Sequence, residues 1–139
     1  MNLAASMNSP RLDNPMLSYL GVKLVAWDVG CCEFELVIGA HHLNRRSSLQ
    51  GGVVATLLDA ACGYAGLITS ANAEPGNAST VMLTISYLDK VASGRVRATG
   101  QVTRSGHSLY FSAGELLSED GRLLATAQGA FKRAQDGNA

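Results

Sequence analysis

The sequence predicts an α+β domain in which a curved antiparallel sheet wraps one long central helix, preceded by a short N-terminal helix. Three observations predict it. The segment Val53 to Thr69 is long, rich in Ala and Leu, and apolar nearly all the way round, so as a helix it must be buried on most of its circumference. Six strand-like runs flank it, and the short turns joining consecutive runs imply antiparallel pairing. A sheet of that extent, curled around the helix, would cover it.

Residues 1–13 are polar and mixed without periodicity and are expected to be frayed. Asn14-Pro15 reads as a helix cap followed by proline at the first helical position, opening a short helix that runs to Leu20 and closes at Gly21. Lys23, Leu24, Trp27 and Asp28 then mark a strand that ends at a turn near Gly30. In the next run Cys32, Phe34, Leu36 and Ile38 alternate with Glu33, Glu35 and Val37, the pattern of a strand with one wet face. Gly39 ends it, and His41 to Leu49 reads as a polar loop. After the long helix, Ala71 to Ala78 is rich in turn residues. Four strands complete the chain, Ser79 to Leu88, Gly94 to Arg104, His107 to Ser118 and Arg122 to Arg133, with Ser105-Gly106 and Glu119-Asp120-Gly121 as hairpin turns. There is no internal repeat and no low-complexity segment.

The 139 residues amount to one domain, expected over 14–133 between flexible ends at 1–13 and 134–139. Eleven Lys and Arg balance eleven Asp and Glu, which argues against nucleic-acid binding through a broad basic field. Charged residues are only 16% of the chain; so sparse a surface suggests that part of it is covered by another copy. The first fifteen residues carry no apolar run flanked by basic ones, and Asp59 interrupts the longest apolar stretch, so neither a secretory signal nor a membrane span is expected. Three cysteines without a CxxC spacing suit neither a disulfide framework nor a zinc site, and His41, His42 and His107 show no ligand spacing. A reduced, cytoplasmic protein without metal or cofactor is the expectation.

Two features carry chemistry. Gly51-Gly52 stands where a loop becomes the long helix, and the first amides of a helix lack internal partners and sit at the positive end of its dipole. Glycine leaves them open to a carbonyl or an anion, although glycines at this position also serve packing. Asp59 lies among Leu57, Leu58, Ala60 and Ala61, where a carboxylate is costly unless partnered; a wet stripe or a structural hydrogen bond would also account for it. Eight residues of helix separate Gly51 from Asp59, about 12 Å at 1.5 Å per residue. If both act on one bond, the simplest solution is two antiparallel helices about a two-fold axis, Gly51 of one chain facing Asp59 of the other.

Taken together, His42-Leu-Asn44, Gln50-Gly51-Gly52 and Leu57-Leu58-Asp59, with Gly63 beyond and the later strand from Thr80 through Tyr87 to Leu88, resemble the hotdog-fold acyl-CoA thioesterases, in particular the phenylacetate-pathway group. The resemblance runs from about Leu17 to Lys132. It implies the hotdog fold, acyl-CoA as substrate, and a homo-oligomer, a tetramer of two dimers. It further implies that the Gly51 amide polarises the thioester carbonyl and that Asp59 is general base or nucleophile. Asn44 would hold the thioester or the attacking water, and Thr80 would orient that water. The family commonly has His before the two glycines, where this chain has Gln50; an amide can donate or accept a hydrogen bond but carries no proton at neutral pH. A titrating role is therefore absent there, while orientation of the loop or carbonyl can survive.

The residue types suit the reaction, since an amide at a helix N-terminus stabilises a developing oxyanion and a carboxylate activates water. Gln50, Gly52, Leu58 and Tyr64 are further candidates for contact with substrate, the pocket being placed around Leu57, Leu58 and Tyr64. For the coenzyme A phosphates or the pantetheine, Arg104 to His107 is the first candidate rim and Arg45-Arg46 the second. His42 is assigned to holding the loop. Two other classes are weighed: a non-catalytic acyl-CoA-binding hotdog protein serving as a ligand sensor, and a dehydratase or hydratase, which would want a catalytic His near an acidic residue.

Overall fold

The computed structural model describes residues 12–135. Of the ends expected to be flexible, 1–13 and 134–139, residues 1–11 and 136–139 lie outside the described residues. Helix α1, Pro15–Leu20, is capped at its start by Asn14, whose side chain accepts from Leu17 N, and is stopped by Gly21 at φ 84°. Strands β1 (Lys23–Asp28) and β2 (Cys31–Val37) follow, then a 3-10 turn at Ala40–His42 and helix α2 (Gly51–Ala65). Strands β3 (Ala78–Tyr87), β4 (Arg95–Ser105), β5 (Leu109–Leu117) and β6 (Leu123–Arg133) complete the described fold. All strands form one sheet in the order β1-β2-β4-β5-β6-β3, each pair antiparallel, and α2 packs against every strand. This is the hotdog fold the sequence implied.

Small residues let helix and sheet meet this closely. A Cβ added at Gly100 in β4 would stand 2.1 Å from the Ala61 carbonyl oxygen, and one at Gly114 in β5 would stand 2.7 Å from Cys62 Sγ. The helix answers with Leu57, Leu58, Ala61, Cys62 and Ala65, all fully buried. These positions recur every three to four residues and form the core face. Burial pushes the Cys62 thiol up to about 12, with the Asp59 charge adding to it, and burial raises Cys32 as well. At neutral pH both remain inert thiols.

Two expectations require correction. The helix ends at Ala65 rather than Thr69. Tyr110 packs where a side chain at Gly66 would go. Its hydroxyl donates to the Gly63 carbonyl, while Arg133 lies over its ring and donates to the Gly66 carbonyl at 2.6 Å. The last carbonyls of the helix are thus taken by side chains, with a cation at the negative end of the dipole. The β2 face carrying Glu33 is also drier than alternation implied. Glu33 is buried, with Arg97 of β4 at 3.6 Å. Burial raises its carboxyl above the ordinary range, an effect that the Arg97 charge opposes.

Candidate active site

The loop before α2 is fixed by groups the sequence places within it. His42 is buried; its Nδ1 accepts from Gly39 N at 2.9 Å and its Nε2 pairs with Leu20 O at 2.7 Å, which defines the Nε2–H tautomer. His42 O accepts from Gln50 N at 2.9 Å, so this histidine sets where the helix begins. The Asn44 side-chain oxygen accepts from Arg46 N at 2.9 Å and from Ser48 N at 3.1 Å. With that oxygen used by the turn, the NH2 group of Asn44 is the part available to a ligand.

Neither glycine of the pair serves packing within the chain. A Cβ at Gly51 would meet Tyr87 Oη at an ordinary 3.5 Å, and one at Gly52 would find its nearest neighbour, Gln50 Cγ, at 4.0 Å. Tyr87, at the end of β3, donates from Oη to the Gly51 carbonyl at 2.7 Å and so holds the first peptide of the helix. Gly51, Asn44, Arg46, Ser48, Tyr87 and Lys90 line part of a cavity of about 750 Å³ at the helix N-terminus.

Asp59 belongs to a different cavity, of about 300 Å³, on another side of the same helix. Thr56, Asp59, Ala60 and Gly63 form its helical wall, with Tyr64 beside them, in a half-buried stripe offset from the core face. Thr80 Oγ1 donates to Asp59 Oδ1 at 2.8 Å. A bulge makes that contact possible. The β3–β6 register shifts between Thr80 and Met82, and the extra residue, Val81, puts Thr80 on the same sheet face as Leu83, Ile85 and Tyr87. Without it, period-2 alternation would turn Thr80 away from the helix. The mouth of this cavity is formed by α1: Asn14 Nδ2 donates to Tyr64 Oη at 3.4 Å, and Met16 and Leu17 add apolar wall.

Of the predicted residues, Asn44 and Gly51 fall together, and so do Asp59, Thr80 and Tyr64, but within one chain the two groups line separate cavities. Gln50 and Gly52 are exposed at the first group's edge. Leu58 is corrected: it is wholly buried on the core face, as is Leu57, and lines neither cavity. Arg104 and His107 are exposed at the β4–β5 turn; His107 lines a small cavity of about 230 Å³ with Ser108, Lys132 and Arg133. The second candidate rim lies nearer, since Arg46 lines the Gly51 cavity. Sequence reading missed Tyr87 as a site residue, because its contact with Gly51 joins residues 36 apart in sequence. Among the described residues no group of His, Cys, Asp and Glu is arranged to hold a metal ion, and no helix is long and apolar enough to cross a membrane.

An antiparallel sheet wrapped around one helix that opens on a glycine pair defines a hotdog protein. Residues 48–125 match the model of the thioesterase superfamily, and the chain belongs to that family. No curated sequence matches it. Among solved structures it is similar to a conserved protein of Pseudomonas aeruginosa (26% identity, TM-score 0.78, covering 87% of this chain and 94% of that one). It is also similar to the PaaI protein of the phenylacetic acid degradation operon of E. coli (24%, 0.79, 88% and 86%). A thioesterase of Haemophilus influenzae shares the fold at 18% identity (0.79, 88% and 85%).

Proposed function

We propose that the protein is a homo-oligomeric acyl-CoA thioesterase that hydrolyses an aromatic or short- to medium-chain acyl-CoA to the free acid and coenzyme A. The observation that carries this reading is the division of the site residues between two cavities along one helix. Gly51 lies about 12 Å from Asp59 by helical rise, too far to share one bond within a chain, and Asn44 lines the Gly51 cavity rather than that of Asp59. Antiparallel association of two chains brings the partner's Gly51 to Asp59 and makes two equal sites per dimer.

The surface suited to that association is β3. It is an edge strand, paired only with β6, and its unpaired backbone groups are a template for a second chain. Along and just beyond it Val81, Met82, Tyr87 and Leu88 are all exposed, apolar groups that association would cover. A dimer, and by the family resemblance a tetramer of two dimers, follows.

In the assembled site the thioester carbonyl oxygen takes the partner's Gly51 amide, where the helix dipole favours the charge that develops on attack. Asp59, oriented by Thr80, accepts a proton from water as the water oxygen bonds to the carbonyl carbon. Collapse of the tetrahedral intermediate breaks the carbon–sulfur bond, the leaving sulfur takes the proton held by Asp59, and the free acid and coenzyme A depart with the carboxylate restored. The NH2 group of Asn44 steadies the thioester or the water. The acyl group suits the smaller cavity, whose apolar wall includes Met16, Ala60, Leu67 and Phe131. Arg46 and Lys90 offer cations to the coenzyme A phosphates beside the larger one.

Thiol release from a panel of aromatic and aliphatic acyl-CoAs, by wild type beside Asp59→Ala and Asp59→Asn, tests the reading. Turnover by wild type, lost in folded variants that still bind substrate, is the expected result. Tight acyl-CoA binding without turnover across the panel would replace it with the ligand-sensor reading.

A further inference from the structure

The amide assigned to the thioester carbonyl already carries a carbonyl in the substrate-free chain. Gly51 N donates to Oε1 of the Gln50 side chain at 3.1 Å. The other amides of the first turn divide sharply. Val53 N and Val54 N both donate to the Gln50 main-chain oxygen, at 2.9 and 3.1 Å, and among the described residues Gly52 N has no acceptor. The helix therefore presents one free amide and one amide covered by the side chain just before it.

That covering group differs from an ordinary cap in two ways. A usual N-cap side chain accepts from the second or third amide of the helix, whereas this one folds back onto the first. The Gln50 main chain is pinned by His42 O at 2.9 Å, but its side chain is exposed to solvent. Its carbonyl is a planar oxygen acceptor of the same kind as a thioester carbonyl.

We propose that Gln50 is an internal competitor for the carbonyl subsite: its side-chain oxygen occupies the Gly51 amide until the thioester displaces it. The inference rests on the thioesterase reading and assigns the position that distinguishes this chain from the family pattern a role in substrate affinity. The thioester oxygen gains Gly51 N and the adjacent free Gly52 N, and the Gln50 side chain swings into solvent. Because the bond lost is a neutral one at an exposed site, with a net value near 1 kcal/mol, removing the competitor should tighten acyl-CoA binding about 2- to 10-fold.

The test measures acyl-CoA affinity in the Asp59→Asn background, to prevent turnover, with Gln50, Gln50→Ala and Gln50→Glu. Coenzyme A, which has the pantetheine and phosphates but no thioester, is the control ligand. Gln50→Ala is expected to bind acyl-CoA about 2- to 10-fold more tightly with coenzyme A affinity unchanged. Gln50→Glu, whose carboxylate holds the amide more firmly, is expected to lose more affinity for acyl-CoA than for coenzyme A at pH 7 and to regain the difference on acidification. Equal acyl-CoA affinity in the Gln50 and Ala forms, or weaker binding by the Ala form, overturns the competitor role and leaves the thioesterase reading standing. Failure of wild type to bind or turn over any acyl-CoA overturns both.

Discussion

Replacing Thr80 with valine removes one oxygen and leaves the shape of the side chain almost unchanged. The oxygen lost is the one that donates to Asp59 at 2.8 Å. Hydrogen bonds to charged groups have net values of about 1.5–3 kcal/mol. The contact is open to solvent in the single chain, which places it near the lower bound, about 1.5 kcal/mol, or roughly tenfold in rate. Losing the bond also frees the carboxylate to rotate away from the water it activates, so the loss should fall on kcat more than on KM. The assay is thiol release under steady-state conditions, with thermal unfolding to confirm an intact fold. Thr80→Ser keeps the hydroxyl and should retain most of the activity. Full activity in Thr80→Val, or an equal loss in the serine and valine variants, would refute the argument that this hydroxyl orients Asp59.

Gly100→Ala should destabilise the protein by about 3 kcal/mol, the upper end of the usual overpacking cost, because the new methyl meets the backbone of α2 at 2.1 Å; the urea midpoint measures it, and an unchanged midpoint would contradict the helix–sheet contact. Glu33→Gln should stabilise the protein at pH 7. Burial raises the Glu33 carboxyl in the folded chain, so the folded state binds its proton more tightly than the unfolded state. Stability therefore falls as pH rises from the ordinary glutamate range, about 4.3, through the raised value. The advantage of the glutamine variant should vanish near pH 4, as urea unfolding at the two pH values will show.

Much of this architecture is legible in the sequence because it depends on local periodicity. Asn14-Pro15 and Gly21 bracket α1 as their chemistry requires, and the alternating runs place β3 to β6 within two residues of their observed bounds. The composition of α2 already demanded a sheet around it. The readings that failed depend on contacts distant in sequence. Leu67, Ile68 and Thr69 continue the apolar pattern of the helix, and only Tyr110 and Arg133, on β5 and β6, explain why it stops earlier. Leu58 and Asp59 are neighbours in the motif yet point to different faces, one to the core and one to a cavity. Their 100° separation is readable only once the core face is known. The bulge at Val81 leaves no mark in composition, and without it the Thr80–Asp59 bond cannot be foreseen.

The central claim, that each site is built from two chains, is tested most directly by complementation. Asp59→Asn and Asn44→Ala are purified separately, each with little activity, then mixed in equal amounts and allowed to exchange subunits. Random exchange makes about half of the dimers mixed, and each mixed dimer has one site with both lesions and one with neither. The account predicts recovery of about one quarter of wild-type activity. No recovery, with exchange demonstrated independently, would place Asn44 and Asp59 in the same chain's site and contradict it.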